Sequence, residues 1–467
     1  MKAFIRIVFS ALFLFTASDA LACSCAGPGT VEKAFQDARS VFTARATVTK
    51  KTDNGHAQEY SLATDKVWKG EPAKNITWSL PRHGCAFWNF ADGAEYLIYA
   101  QPSWEKEKPG EVEITICSRT KKLDDARIET RYLDALKDKG DAQKITDALP
   151  HLLLTEPEAQ TRGEAAKLIG EMMQRQEKLP DNALQSLLAA TQDKEDSVRQ
   201  VVAGTLGMPA NAGNEEVRKT LLPMVKDGRT MVRGAAISAL GMVARANSEA
   251  FRAIADALKA ERQNKDSDPK QYETLKYETM LYGYARALAE TAKTEEEKAE
   301  VVDLLTPMID EVSDPYSKVG VIQHLGFQKG LAKKSAPKLL SVLKATDHYH
   351  VKQYTLQALG DIGAAELQAE IEPYLKDDNC YVSMAVVTAT YKMDKAGFND
   401  FMRAKGVPEL TLRFDKCAAE IGWGLQSIAP AGREMEPLIR GKYAAMPDGD
   451  WKKSTLKTLL ETWAKSP

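Results

Sequence analysis

The chain reads as a multidomain protein, a small all-β barrel followed by an α-solenoid of helical repeats, and three observations carry that reading. Residues 1–22 have the layout of a cleaved export signal. The stretch that follows, to about residue 137, holds five short runs rich in Val, Ile, Phe, Tyr, Trp and Thr, with Gly, Pro, Asn and Asp between them. From about Ala142 the strand formers thin out, and a Leu-Gly or Ile-Gly pair returns at helix ends with regular spacing. The expected domains are a signal over 1–22, a barrel over 23–137, a repeat array over 142–397 and a helical cap over 398–467.

The signal begins with Lys2 and Arg6, continues through an apolar run over 7–15, and ends on the small-residue triplet Ala20-Leu21-Ala22. Cutting after Ala22 makes Cys23 the first residue, with a free α-amino group. The apolar run falls well short of the ~20 residues that a membrane-spanning helix requires. A lipid-modified Cys23 is the alternative and would make the chain an envelope lipoprotein. Ala20 stands where such sites usually carry Leu, so plain cleavage is the expectation, with a secreted or periplasmic product. Losing Lys2, Arg6 and Asp19 takes the formal net charge from -2 to -3, which gives no basis for nucleic-acid binding. No later apolar stretch is long enough to span a bilayer, so membrane contact is expected only if Cys23 is acylated. All six cysteines survive cleavage, and an even count in an exported chain points to disulfides.

A short helical segment at 31–37 precedes the five strand-like runs, which cover 40–50, 58–69, 75–80, 95–101 and 111–119. Turn formers punctuate them, as in Asp53-Asn54-Gly55 and Lys108-Pro109-Gly110. With no long helix between them, such strands are expected to close into a small barrel. A core of that size is modest, which gives Cys23, Cys25, Cys85 and Cys117 structural weight. Pairing Cys23 with Cys85 and Cys25 with Cys117 would close loops of ~60 and ~90 residues, worth at most roughly 4–5 kcal/mol each. Other pairings among the four stay open. So bridged, the first residues of the mature chain would be pinned rather than frayed.

Several short segments occur here in the order of a known family. They are Cys23-Ser24-Cys25-Ala26-Gly27-Pro28, Ala34-Phe35, Val41-Phe42-Thr43-Ala44-Arg45-Ala46, Tyr96-Leu97-Ile98 after Cys85, and Ile114-Thr115-Ile116-Cys117-Ser118. Together they resemble the inhibitory domain of the tissue inhibitors of metalloproteinases, within the netrin-like modules built on an OB-type barrel. The resemblance covers about a quarter of the chain. It implies that the amine and carbonyl of Cys23 chelate the catalytic zinc of a target protease, with Ser24 entering the specificity pocket and His83 and Gly84 flanking it. A catalytic zinc keeps an open coordination position, and an α-amine titrating near ~7.7–8.0 is partly neutral at physiological pH, so the chemistry is sound. Two features depart from the family. Phe35 is followed by Gln36 where the family has a cysteine of its third disulfide, and the family's cysteine-rich C-terminal subdomain is replaced. The alternative is that Cys23-Ser24-Cys25 only staples an adhesion domain.

Ile169-Gly170, Leu206-Gly207, Leu240-Gly241, Leu325-Gly326 and Leu359-Gly360 recur, with Leu288 in the one remaining place, at steps of 37, 34, 48, 37 and 34 residues. The long step holds a polar stretch at 261–270, expected as a solvated insertion. Within most units an acidic turn leads into a second helix that opens with Val beside a basic residue. Examples are Asp196 with Val198-Arg199, Asp227 with Val232-Arg233, Asp314 with Lys318-Val319, Asp347 with Val351-Lys352, and Asp377 with Val382. The Asp is expected to cap the second helix and the Val to point inward. This pattern resembles HEAT-type repeats, of the short variety also found in bilin lyases, and implies a curved solenoid whose concave face binds a macromolecule.

His348-Tyr349-His350 puts two imidazoles in one inter-helix turn, but only Asp347 accompanies them, so a polar turn is expected rather than a metal site. Cys380 and Cys417 lie one repeat apart and are expected to form a disulfide, two free buried thiols being the alternative. Past about Phe398 the period fades, and Trp423, Trp451 and Trp463 fit a terminal cap better than an exposed recognition surface. No phosphate loop, paired-histidine zinc helix or Gly-x-Ser-x-Gly elbow occurs. The expectation is therefore a non-enzymatic, exported protein-binding scaffold without cofactor, its partner a protein and in the sharper form a zinc protease. An adaptor that uses both domains only to hold proteins together is the alternative.

Overall fold

Alternation along the strands gives one sheet two apolar faces, and each face finds its own cover. In the computed structural model, residues 29–51, 57–79, 90–101, 113–138, 141–267 and 274–465 are described. The chain divides into two compact units, Met1–Thr205 and Leu206–Pro467.

The first unit opens with helix α1 (Val31–Asp37), whose first turn is capped by the Thr30 hydroxyl accepting the Lys33 N–H at 3.0 Å. Strands β1 (Ser40–Lys51), β2 (Ala57–Lys69), β3 (Asn75–Ser79), β4 (Glu95–Ala100) and β5 (Lys121–Lys122) follow. They form an antiparallel sheet in the order β3-β2-β1-β4-β5, and among the described residues no ladder joins β3 to β5. Phe42, Ala44 and Ala46 of β1 share one core with Tyr60, Leu62, Ile76, Trp78, Tyr96, Ile98 and Ile114. The alternate residues Val41, Leu97 and Tyr99 point the other way, into a second core with Val31, Trp68 and Leu133. That second core is closed by α1 and by helix α2 (Arg127–Lys137), which is why β4 is buried on both faces.

The fifth strand lies later than the sequence places it. Residues 111–112 are outside the described set, and Glu113 makes only an isolated bridge to Gln101. The chain then turns, with the Ser118 hydroxyl 2.8 Å from both the Thr115 carbonyl and the Thr120 hydroxyl, and pairs with β4 only at Lys121–Lys122. A local side-chain bond here competes with the ladder and ends it. Helices α3 (Gln143–Asp147), α4 (Leu149–Thr155), α5 (Ala159–Gln174), α6 (Ala183–Ala190) and α7 (Asp196–Leu206) complete this part of the chain.

The second unit alternates two layers of helices. One layer holds α8 (Glu215–Met224), α10 (Ser248–Ser267), α12 (Glu295–Glu311) and α14 (Ala336–Ala345). The other holds α9 (Thr230–Val243), α11 (Thr274–Thr291), α13 (Pro315–Gly326), α15 (Tyr349–Ile362), α17 (Cys380–Met393), α19 (Val407–Ser427) and α21 (Trp451–Lys465), each packed on the next. Short helices α16 (Gln368–Ile371), α18 (Phe398–Phe401) and α20 (Glu436–Ala445) connect them.

The recurring glycine has a steric cause. A Cβ on Gly241 would stand 2.9 Å from Ala287 Cα, one on Gly326 would stand 3.0 Å from Ala358 Cα, and one on Gly360 would stand 2.7 Å from Ala389 Cα. Each Leu-Gly pair thus lets one second-layer helix touch the backbone of the next. Val232, Val319, Val351 and Val382 are buried at the starts of these helices, as is Val198 in α7.

The aspartates act less uniformly than a cap. Asp314 does cap α13, accepting the Ser317 N–H at 2.7 Å. Asp227 and Asp377 instead bend the preceding turn, each accepting an N–H two residues on at 2.9 Å, and α17 is capped by Asn379. At two of the turns the basic residue of the second helix adds a brace. Arg233 Nη1 reaches the Asp227 carbonyl at 2.8 Å, and Arg199 Nη1 reaches the Asp193 carbonyl at the same distance, so the guanidinium braces the turn.

The stretch at 261–270 is also corrected. α10 runs on to Ser267, and Glu261 is buried in a two-point ion pair with Arg233 at 2.6 and 2.8 Å, so its charge faces the array and not solvent. Residues 268–270 lie outside the described set. Cys380 and Cys417 are disulfide-bonded with Cα atoms 5.4 Å apart, tying the start of α17 to α19. At the end of the chain Trp463 is buried, whereas Trp451 stays 58% exposed with its ring 5.9 Å from that of Trp423.

The seam makes a clear prediction. In an open helix interior Gly→Ala gains roughly 1 kcal/mol of helix propensity, whereas overpacking costs roughly 1–3 kcal/mol. Gly360→Ala should therefore lower unfolding stability by up to about 2 kcal/mol. Gly204→Ala, whose Cβ would meet nothing within 4 Å, should be neutral or stabilising. Urea unfolding of the two variants checks the contrast.

Candidate functional site

Two places stand out, one in each unit. In the first, the turn that ends the fifth run carries Arg119 inward. Its Nε and Nη2 donate to the two Glu129 oxygens at 2.9 and 3.0 Å, and its Nη1 reaches Glu171 at 2.7 Å and the Gly29 carbonyl at 2.9 Å. Glu129 is fully buried and also accepts from Lys121 Nζ at 2.6 Å and the Tyr99 hydroxyl at 2.7 Å. Nearby, the Glu164 carboxylate takes the N–H groups of Ile128 and Glu129, at 2.7 and 3.0 Å, where α2 begins.

The electrostatics follow from this geometry. Burial alone would raise the Glu129 carboxyl, but Lys121 and Arg119 overcome it and hold it at about 2. Glu164 has no such cation in contact, and burial pushes it up to about 7 against the two N–H donors. Burial and then Glu129 raise the Tyr99 phenol far above its ordinary value. These bonds engage four of the five Arg119 N–H donors and bury the side chain, so the cluster is a fastener. It joins the sheet turn to α2 and α5 and holds the chain at Gly29.

That position matters because Gly29 follows the predicted inhibitory edge. Cys23, Ser24, Cys25, His83, Gly84 and Cys85 all lie outside the described residues. Cys117, two residues before Arg119, is disulfide-bonded. Arg119 and Glu129 were not singled out by sequence reasoning. The available signal was a lone Arg after a strand-like run that is otherwise rich in β formers.

The second place is an aromatic strip across α11, α13 and α15. On α13, Tyr316, Gly320, His324 and Phe327 fall at helical spacing on one face. A Cβ on Gly320 would lie 2.2 Å from Tyr282 Cδ2, so the Tyr282 ring from α11 rests over that glycine. Tyr282 is 6.1 Å from His324 between ring centroids, and Tyr316 is 5.9 and 5.6 Å from His348 and His350. Tyr316 is 67% and Phe327 60% exposed. Burial and the Arg286 guanidinium hold His324 at about 4, and burial with His348 lowers His350. His324 is thus neutral at physiological pH, and the strip is aromatic more than charged. The His348-Tyr349-His350 turn is the outer edge of this surface. Among the described residues no group of three or more His, Cys, Asp and Glu is arranged to hold a metal. Among the described residues, too, no helix is long and apolar enough to cross a membrane.

Residues 184–265, from α6 into α10, match the family model of HEAT repeats, and that region is a HEAT-repeat helical solenoid. No curated protein matches the chain. Among solved structures, an engineered protein is 17% identical with a TM-score of 0.37, covering 71% of this chain and 91% of that one. A designed armadillo repeat protein is 13% identical at a TM-score of 0.29, with 53% of this chain and 100% of that one covered. Kap121p bound to Nup53p is 13% identical at 0.31, with 69% of this chain and 41% of that one covered. Superpositions as loose as these add nothing to the repeat match.

Glu164 gives a pH signature. Its folded value, about 7, lies above its unfolded value of 4.5, so its stabilising contribution is complete below pH 4.5 and is lost as pH rises through 7. The loss should be of order 3 kcal/mol. Glu164→Gln, which keeps a carbonyl acceptor for one N–H, should flatten the decline between pH 5 and 7 in unfolding free energy measured at intervals across that range.

Proposed function

We propose that the protein is a non-enzymatic scaffold that binds a protein partner through the second-layer face of its helical array. The observation that carries this is the strip of Tyr282, Tyr316, Phe327 and the His348-Tyr349-His350 turn. Exposed aromatic surface of this kind marks interaction sites, and Tyr supplies large contact area at low entropic cost. HEAT-repeat arrays serve protein–protein interaction, and the match over 184–265 supports the same use here. The chain is exported, carries its disulfides in an oxidising compartment, and has no catalytic role.

The finer reading gives the N-terminal edge an inhibitory part, with the Cys23 amine and carbonyl bound to the zinc of a target protease. What favours it is the Arg119 bond to the Gly29 carbonyl, which fixes the backbone six residues after Cys23.

A photo-crosslinking residue at position 316, in the exported full chain, should trap a discrete protein partner that Tyr282→Ala weakens. The same residue at position 338, on α14, should not. Equal trapping at both positions, or none at 316, contradicts the docking face. In parallel, one residue added ahead of Cys23 should abolish inhibition of a zinc metalloprotease while leaving partner trapping intact. No inhibition by the unextended chain removes the finer reading alone.

A further inference from the structure

The first unit contains a cleft of about 1210 Å³ between α1–α2 and the helices α3 to α6, far from the aromatic strip in sequence and independent of it. Its floor is aliphatic, from Leu149, Leu168 and Met172, with Leu154 half exposed at the edge. Its rim is acidic. Glu32 comes from α1, Asp147 from α3, and Glu177 and Asp181 from the connection before α6. The cationic side chains in the lining are Arg175 and Lys178, and Arg175 is already engaged by Glu177 at 2.7 Å and Glu171 at 3.4 Å.

Glu177 is thus already held by Arg175, whereas Glu32, Asp147 and Asp181 form no ion pair among the described residues. Among the described residues, Glu32 and Asp147 meet only the neutral amides of Gln36, at 3.3 Å, and Gln143, at 2.9 Å. Tyr132 lines the same cleft, half-buried, and burial followed by Glu32 and Glu177 raises its phenol. An aromatic ring in a cleft rimmed by unpaired carboxylates suits a cation, which gains both the ring quadrupole and the charges.

We propose that this cleft is a docking groove for a basic, extended segment of a partner protein, whose Lys or Arg side chains meet Glu32, Asp147 and Asp181 at the rim. Two features select a peptide over a small amine. The volume exceeds the roughly 300–1,000 Å³ of ordinary small-molecule pockets, and the aliphatic floor would stay uncovered by a bare cation. Leu154 and Met172 then pack against the apolar residues that separate the basic ones.

The test uses the full chain and two labelled peptides, one alternating Lys and Leu and one with Glu in place of each Lys. Fluorescence anisotropy should show saturable binding of the Lys peptide that weakens with salt, and none of the Glu peptide. Glu32→Gln with Asp181→Asn should weaken the Lys peptide about tenfold. Leu154→Ser should weaken it as well, and Tyr316→Ala should leave it unchanged. Both substituted carboxylates are exposed, so the double variant should fold as the parent does. An unchanged affinity in the double variant, equal binding of the two peptides, or spermine binding as tightly as the Lys peptide would overturn the proposal.

Discussion

The first unit depends on one buried ion pair, Arg119 with Glu129. Both side chains are shut away from water, with exposures of 1% and 0%. Burying two charges is costly, and such a pair is often no more stable than apolar residues of the same size. Removing one partner is a different matter, because the other is left charged and desolvated, at a cost of about 3–5 kcal/mol. The pair therefore acts through specificity. Only one docking of the sheet turn on α2 satisfies Glu129 from Arg119, Lys121 and Tyr99 at once, and only that docking lets Arg119 also meet Glu171 and the Gly29 carbonyl. Four separate stretches of sequence are brought into register by one guanidinium.

In the second unit the equivalent constraint is steric. Glycine against alanine at Gly241, Gly326 and Gly360 sets successive second-layer helices at backbone contact, and the inward valines fix their rotation. With spacing and rotation both set, what each helix shows to solvent is decided by its sequence alone. On α11, α13 and α15 that is tyrosine, phenylalanine and histidine. The helical scaffold and the exposed aromatic strip are thus separate consequences of one repeat.

Much of this was legible beforehand. The repeat period, the inward valines and the positions of the first four strands along the chain follow from spacing and alternation, which a sequence displays directly. The role of the repeated glycine needed the neighbouring helix, since Ala287, Ala358 and Ala389 stand 29 or more residues away from their glycines in sequence. Glu261 looked like part of a solvated insertion because its neighbours are polar, and only Arg233 on another helix shows why it is buried. The fifth strand was misplaced for a local reason, the Ser118 turn, which β propensity does not register. Arg119 and the meeting of Tyr282 with Gly320 and His324 are long-range, and neither carries a periodic signal. The inhibitory edge of Cys23, Ser24, His83 and Gly84 rests on resemblance and lies outside the described residues.

The central claim is that the Arg119 cluster fuses the sheet and the first helices into one cooperative body. Native-state hydrogen exchange tests it most directly, by comparing the amides of Leu97 and Tyr99 in β4 with those of Ala166 and Ile169 in α5. The account predicts one shared opening free energy and one shared denaturant dependence for both groups. A sheet that exchanges through its own lower-energy opening, while α5 stays protected, would contradict it.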